Sequence, residues 1–390
     1  MPSSPAKIRV MRIIARLNVG GPARHVILLN ANLERSRYQN LLVTGMEGTR
    51  EGSMKDLVAF HQLEMDVIPE LGRKIALTND LFVLWKLYRL MCRYRPHIVH
   101  THTAKAGLVG RIAAKLAGVP IILHTFHGHV FHGYFSPAKT KFFIALEKFC
   151  GFFSDRIITI SKLLKQEIAA YGVAPLEKIE VIPLGFDLSP FAAQTRYNQK
   201  FRASINFPAK GKLIAAVGRL VPIKNISLLL EAIAIARQSD PHIHLALIGD
   251  GELRSHLESR TRELGIAEAV IFTGWRQDLP QIYADLDAVV ISSNNEGTPA
   301  SLIEAMATGC PVIATRVGGV PDLLTPDRGR IVKPNDPQTL ARAILDLWQD
   351  PEQTQYFAEN ARAYARLTYN SQRLVRDIAQ LYETLVKSPH

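Results

Sequence analysis

At 390 residues, with 47% hydrophobic and 21% charged residues, the chain has ample material for globular cores and exceeds what one core serves. Two or three domains are expected, and disordered or fibrous classes are excluded. Of the net charge of +12, residues 1–187 carry +11, from 25 Lys+Arg against 14 Asp+Glu, and the remainder carries +1, an asymmetry that suits nucleic acid, anionic lipid headgroups or an acidic substrate.

Short apolar runs alternate with helix-period segments along most of the chain, the pattern of parallel-sheet α/β architecture. In order, the runs of the first half are IRVMRIIARL, NLLVTG, MDVIP, HIVHTH, VPIILHTFHG, DRIITIS and IEVIPLG, with helices over 79–93 and 105–117 among the segments between them. Pro183, Gly185 and Pro190 cluster in IPLGFDLSPFAAQ, where a hinge is expected. The second half supplies KLIAAVG, IHLALIGD, AVIFTG, LDAVVISS, PVIAT and GRIVK, and beyond residue 337 the pattern is helical to the end. Two doubly wound units in tandem follow, with expected divisions at 1–187 and 188–368 and a tail, 369–390, crossing back onto the first. No run of about 18 uncharged apolar residues occurs, and the opening MPSSPAKIRVMRIIARL lacks the features of a signal peptide. A cytoplasmic, non-spanning protein is expected. Cys92, Cys150 and Cys310 are odd in number and far apart, so they read as reduced thiols.

The stretch NNEGTPASLIEAMATGCPVIAT, residues 294–315, holds two glutamates eight positions apart around an apolar helix. Thr298 can cap that helix, Pro299 can open it, and Gly309 and Pro311 stop it, which predicts a helix over about 299–308. Its N-terminus follows a strand and a glycine-containing loop, so its free N–H groups form an anion site at the carboxyl edge of the sheet. Glu296 and Glu304 can then face one crevice, offering carboxylates to sugar hydroxyls at both ends of a nucleotide sugar. Upstream, AAVGRLVPIKNIS ends a strand at Gly218 and flanks a turn with Arg219 and Lys224, a fork and a point charge suited to a diphosphate. Asn225 or Ser227 can cap the next helix. LIGDGEL and FTGWRQD are further strand-to-helix turns, the latter placing Trp275 and Arg276 where they can border a base.

GRLVPIKN, LIGDGEL, the block from FTGWRQD to VGGVPDLL and the hinge VIPLGFD together resemble the retaining glycosyltransferases of family 4, and the Glu296–Glu304 spacing is that family's E-x7-E signature. The resemblance implies the GT-B fold, two Rossmann-like domains facing across a cleft, with the nucleotide sugar held mainly by the second and the acceptor mainly by the first. By the same resemblance Arg219 and Lys224 bind the donor diphosphate, Glu304 the ribose, and Glu296 with Gly297, Thr298 and Pro299 the transferred sugar. Gly274, Trp275 and Arg276 border the base, and Gly218, Ala300 and Ser301 complete the donor site. Glu296 is a positioning group in this reading, with a nucleophile role the lesser option. UDP is the expected nucleotide, no metal or other cofactor is expected, and the two cations with the helix end supply the charge at the leaving group. The same fold also accommodates a nucleotide-sugar epimerase or hydrolase, and the basic first half would suit a non-catalytic membrane-bound scaffold.

In LNVGGPARHVILL, Gly20 and Gly21 resemble the family loop that reaches the donor. His100, His102 and Lys105 lie at one strand-to-helix turn, with Lys105 a candidate for an acceptor phosphate. HTFHGHVFHGYF crowds His124, His127, His129 and His132 after another strand without an accompanying Cys or carboxylate, so no metal site is expected there. His127 matches the family's histidine and is assigned to catalysis, with His100, His102, His127 and His129 on the acceptor. These segments look most like members that build bacterial surface polysaccharides, which implies a saccharide or polyprenyl-diphosphate acceptor and no nucleic acid. YFSPAKTKFFIALEKFCGFF, residues 134–153, interleaves Lys139, Lys141 and Lys148 with phenylalanines. Such a helix suits an anionic membrane interface on the inner face of the cell membrane, and equally a helix packed under its domain.

Overall fold

The structure is a computed structural model that describes residues 7–18, 20–48, 52–72, 77–128 and 137–387. It divides into two compact units, one made of the chain up to Phe186 together with the part from Ser371 on, the other of Asp187–Asn370.

In the first unit the order is β1 (Ile8–Ile14), α1 (Gly21–Asn32), β2 (Tyr38–Thr44), α2 (Lys55–Phe60), β3 (Met65–Val67), α3 (Leu77–Tyr94), β4 (Ile98–His102), α4 (Ala104–Leu116), β5 (Ile121–Phe126), α5 (Pro137–Phe152), β6 (Arg156–Thr159), α6 (Lys162–Ala170) and β7 (Ile179–Val181). The strands form one parallel sheet in the order β3-β2-β1-β4-β5-β6-β7. Their continuous apolar runs are what a sheet covered on both faces requires. One face packs Val83, Leu87 and Met91 of α3 and Ala106, Val109 and Ala113 of α4 against Met11, Ile13 and Val99. The other face takes Leu29 of α1 and Leu33, the residue that ends it.

The second unit runs α7 (Ser189–Ala192), α8 (Lys200–Ser204), β8 (Lys212–Val217), α9 (Ile226–Ser239), β9 (Ile243–Ile248), α10 (Arg254–Glu263), β10 (Val270–Gly274), α11 (Leu279–Asp285), β11 (Ala288–Ile291), α12 (Ala300–Thr308), β12 (Val312–Thr315), α13 (Val320–Leu323), β13 (Arg330–Val332), α14 (Pro337–Gln349) and α15 (Pro351–Thr368). Its parallel sheet has the order β10-β9-β8-β11-β12-β13, the same doubly wound arrangement as the first six strands of the other unit.

The last helix, α16 (Ser371–Lys387), belongs to the first unit. Its apolar stripe, Leu374, Ile378, Leu381, Tyr382 and Leu385, joins Val10, Leu29, Ile98, Leu123 and Ile158 in one core. A Cβ on Gly185 would come within 2.6 Å of the Leu374 Cβ, and Ser371 N donates to Phe186 O at 2.9 Å. Glycine at 185 is therefore what lets the tail helix close on the segment after β7.

Among the described residues no helix is long and apolar enough to cross a membrane. The two readings of residues 134–153 separate over the described part: Phe142, Phe149 and Phe152 of α5 are exposed, at 60%, 59% and 84%, so they do not pack under the domain, whereas Phe153 joins the core. On α3, expected as a helix over 79–93 but with no surface role assigned to it, Leu81, Phe82, Trp85 and Tyr88 are exposed too. Lys86 Nζ lies over the Phe82 ring and the Arg89 guanidinium over Trp85.

Candidate active site

In the second sheet the strand order reverses between β8 and β11, which opens a crevice beyond their carboxyl ends. Two loops form its rim. One leads from β8 through Gly218, at φ 145°, to Arg219 and a 3-10 turn over Pro222–Lys224. The other leads from β11 to α12. They are tied together: Asn294 N donates to Ile223 O at 2.8 Å, and Ser292 Oγ to Lys224 O at 3.0 Å. Asn225 departs from its expected capping role. It starts α9 in a left-handed conformation with no side-chain cap bond, and its amide instead donates to Asn294 Oδ1 and Asn335 Oδ1.

Inside the crevice Lys224 Nζ meets Glu296 Oε1 at 2.6 Å, and Ser293 Oγ donates to the same oxygen at 2.6 Å. Arg219 is exposed, and among the described residues its guanidinium has no hydrogen-bond or ion-pair partner. Gly218, Arg219, Lys224, Ser293, Glu296 and Ser301 line one pocket. A paired cation, a free cation and a carboxylate thus share a crevice with the start of a helix whose first N–H groups point outward.

That helix, α12, begins one residue later than expected. Pro299 is its N-cap and makes no side-chain cap bond, so Thr298 does not cap it; the Pro299 carbonyl instead accepts from Leu302 N and Ile303 N. Gly309 ends it at φ 81°, as the turn chemistry predicts. Every residue from Leu302 to Thr308 is buried, Glu304 among them. Glu304 therefore does not stand free beside Glu296. It is 6% exposed and accepts from Tyr283 Oη at 3.1 Å, because the second turn of a helix buried on nearly all sides has no solvent face.

Two glycines that sequence reasoning left without a role shape the loop. A Cβ on Gly318, which also holds φ +48°, would lie 1.8 Å from Glu296 O, and one on Gly319 would lie 2.0 Å from Gly297 O. Gly319 N donates to Glu296 O at 2.9 Å. The Gly-Gly pair in TRVGGVPD was the available signal. On the β10 side Gly274 turns at φ +69° and accepts from Gly249 N at 2.9 Å. Trp275 is 66% exposed, while Arg276 is forked onto Asp278 at 2.8 and 2.6 Å, so the indole rather than the guanidinium is the open surface.

In the first unit the reversal lies between β1 and β4, and imidazoles collect there. His100, wholly buried, has both ring nitrogens engaged, at 2.7 Å to Tyr382 Oη and 2.7 Å to Thr125 Oγ1. It ties the α16 tail to the sheet and is not available to an acceptor. Buried Arg12 donates to Asn30 Oδ1, Asn40 Oδ1 and the same tyrosine hydroxyl. Lys105 is likewise withdrawn: it is 7% exposed, at 2.8 Å from Asp80 and 3.2 Å from Glu70 O, because a buried ammonium must be paired. Gly20 is extended at φ 170°, and a Cβ on it would meet nothing closer than 3.9 Å; on Gly21 it would meet nothing within 4 Å. The space beside that loop is open. His129 and His132 lie outside the described residues.

His102 Nδ1 and His127 Nε2 are 3.1 Å apart, and His25 of α1 stands against both rings, at 5.6 and 4.9 Å between centroids. His25 was not singled out from the sequence. Burial holds the pKa values of His25, His100, His102 and His124 well below 6.5, with neighbouring Arg12, Arg111 or imidazoles adding to the shift. Desolvation lowers His127 to about 4. All five are neutral at pH 7.

Two Rossmann-like sheets, one with a crevice of cations and a carboxylate at its switch point, are the architecture of the GT-B class. Residues 198–364 match the family described as Glycosyl transferases group 1, and residues 19–190 match Glycosyltransferase Family 4. The chain is 31% identical, over 82% of its length and 83% of the relative's, to the UDP-Gal:alpha-D-GlcNAc-diphosphoundecaprenol alpha-1,3-galactosyltransferase of Escherichia coli. It is 29% identical to the capsular polysaccharide biosynthesis glycosyltransferase CapM of Staphylococcus aureus, over 85% of this chain and 88% of that one. Among solved structures it is similar to Anabaena Alr3699/HepE in complex with UDP, with a TM-score of 0.83, 24% identity, and coverage of 96% of this chain and 100% of that one. The protein belongs to glycosyltransferase family 4 and is a glycosyltransferase of the hexosyltransferase class.

Proposed function

We propose that the protein transfers a hexose or N-acetylhexosamine, with retention, from a UDP-sugar to a saccharide or polyprenyl-diphosphate-linked acceptor in the synthesis of a cell-surface polysaccharide. The observation that carries this reading is the Lys224–Glu296 contact of 2.6 Å beside Arg219 and the start of α12. A diphosphate entering there would take Lys224 and Arg219 as its counter-charges and the first N–H groups of α12 as donors. The same groups stabilise the departing diphosphate as its charge develops. Glu296, relieved of part of its contact with Lys224, is then free to accept from hydroxyls of the transferred sugar. The buried Glu304–Tyr283 pair closes the nucleotide end. The exposed Trp275 edge borders the base.

The choice of UDP and of a lipid-diphosphate acceptor is supported by what the similar proteins are named and bound to. On the first unit, Gly20 and Gly21 are candidates for the loop that reaches the donor, and His102 and half-buried His127 are the acceptor-side candidates. The exposed Phe142, Phe149 and Phe152 of α5 and Phe82 and Trp85 of α3, set among lysines and arginines, suit an anionic bilayer that presents such an acceptor.

The test is a donor screen across UDP-, GDP- and ADP-sugars, followed by transfer to polyprenyl-diphosphate-linked sugars with the donor that binds. Binding by calorimetry should disappear in Arg219→Ala and Lys224→Ala. Failure to bind any nucleotide sugar would overturn the reading, and release of free sugar or an epimer without any acceptor requirement would replace transfer by hydrolysis or epimerisation. Sedimentation with vesicles containing anionic lipid should carry the wild type down and leave Trp85→Ser/Phe149→Ser in solution.

A further inference from the structure

The geometry points to a transition-metal site in the first unit, in which His25, His102 and His127 bind one divalent ion of the zinc class. The three side chains come from three segments, α1, the end of β4 and the turn after β5, so no spacing in the sequence announces them. Each offers a ring nitrogen, and the three atoms lie within 4.8 Å of one another. The His102 Nδ1 to His127 Nε2 separation of 3.1 Å is close to the roughly 3.3 Å expected between two imidazole nitrogens on a tetrahedral ion at 2.0–2.1 Å.

The hydrogen-bond inventory of the trio is incomplete. Three neutral imidazoles carry three N–H groups and three lone pairs. The His102–His127 contact uses one of each. Both nitrogens of His25, His102 Nε2 and His127 Nδ1 are buried, and among the described residues they have no hydrogen-bond partner, which is an unfavourable state for polar groups withdrawn from water. An ion on His102 Nδ1, His127 Nε2 and one nitrogen of His25 would take up three lone pairs in place of that single contact and give buried His25 its first partner, leaving the other three ring nitrogens as N–H groups.

The ligand set selects the ion. Neutral imidazole suits zinc, cobalt, nickel or copper, and a site with no carboxylate disfavours magnesium and calcium. His25 and His102 are 2% and 0% exposed, but His127 is half-buried. The site is thus open on one side, leaving a fourth position for water or a ligand oxygen, as three-histidine sites do. An ion bound there would occupy His127, so this inference touches the acceptor side of the proposed function without depending on it.

The experiment uses the full chain, stripped with a chelator and titrated with cobalt chloride, followed by zinc chloride in competition with a chromophoric chelator. One equivalent of cobalt should produce visible d–d absorption of a four- or five-coordinate ion, and zinc should displace it. His25→Ala and His102→Ala should each weaken binding at least tenfold, whereas His244→Ala, a histidine of the second unit, should leave it unchanged. UDP binding by the variants reports that the second unit is intact, and circular dichroism that the first is folded. In the wild type, zinc and not magnesium should raise the melting temperature, a readout that needs no variant. Absence of stoichiometric cobalt binding by the wild type, or binding that survives both substitutions, would overturn the site. Donor binding is read separately, so either proposal can fail without the other.

Discussion

The two units share a strand order around their switch points yet line them in opposite ways. Beyond β8 and β11 stand Arg219, Lys224 and Glu296, charged groups at a partly open rim. Beyond β1 and β4 stand His25, His100, His102 and His124, neutral and buried, with Arg12 wholly inside and bonded to Asn30, Asn40 and Tyr382. The topology provides a crevice in both cases, and the side chains decide its chemistry. Charge that is partly hydrated can be redeployed onto an arriving anion, whereas buried imidazoles without charge can only trade lone pairs and N–H groups.

The largest effect expected from breaking this contrast is in the charged crevice. Lys224→Ala should lower kcat/KM for transfer by about 10²–10³-fold, the range for losing one preorganised electrostatic contact to a developing charge, and steady-state kinetics with the preferred donor measures it. A loss below tenfold would place the leaving-group charge elsewhere. The two glutamates should then separate. Glu304→Ala, which removes the carboxylate that accepts from Tyr283 Oη in a buried site, should weaken binding of the free nucleotide. Glu296→Ala should spare that binding and depress transfer; calorimetry with UDP alone, set beside turnover, distinguishes them, and identical behaviour would dissolve the division of roles.

The imidazole side is sharpened by pH. Because folding depresses the pKa of these histidines, with His127 at about 4, the unfolded chain binds more protons between that value and 6.5. Their contribution to stability is therefore complete above pH 6.5 and is lost as pH falls toward 4. Urea unfolding between pH 7.5 and 5 should show a declining unfolding free energy with uptake of more than one proton per chain, and a flat profile would mean that these histidines titrate alike in the folded and unfolded chain. The smallest effect is on the tail. Tyr382→Phe removes the shared partner of His100 and Arg12 and should cost about 1–3 kcal/mol, read as a lower melting temperature of the first unit with UDP binding by the second unchanged.

Much of the architecture was legible because its signals are local. The thirteen apolar runs named from the sequence correspond to the thirteen strands found among the described residues, since a parallel strand buried on both faces needs an unbroken apolar stretch. The stop at Gly309 was legible because a left-handed C-cap is a requirement on one residue. The start of the same helix lies one residue beyond the position that Thr298 suggests, because Pro299 takes the N-cap place and, having no polar side chain, caps nothing with it. Lys105 and His100 looked like ligand groups only while their partners, Asp80 and Tyr382, were distant in the sequence.

Periodicity and short-range turn chemistry specify the pair of doubly wound sheets, and the motifs with their E-x7-E spacing carry the resemblance to the family. Only the tertiary structure decided that Glu304 is buried on Tyr283, that Gly318 and Gly319 sit under the Glu296 loop, that α3 shows Phe82 and Trp85 to solvent, and that His25 joins His102 and His127. Those outcomes depend on which way a side chain points and on what arrives from a remote segment, and neither quantity has a local period from which to read it.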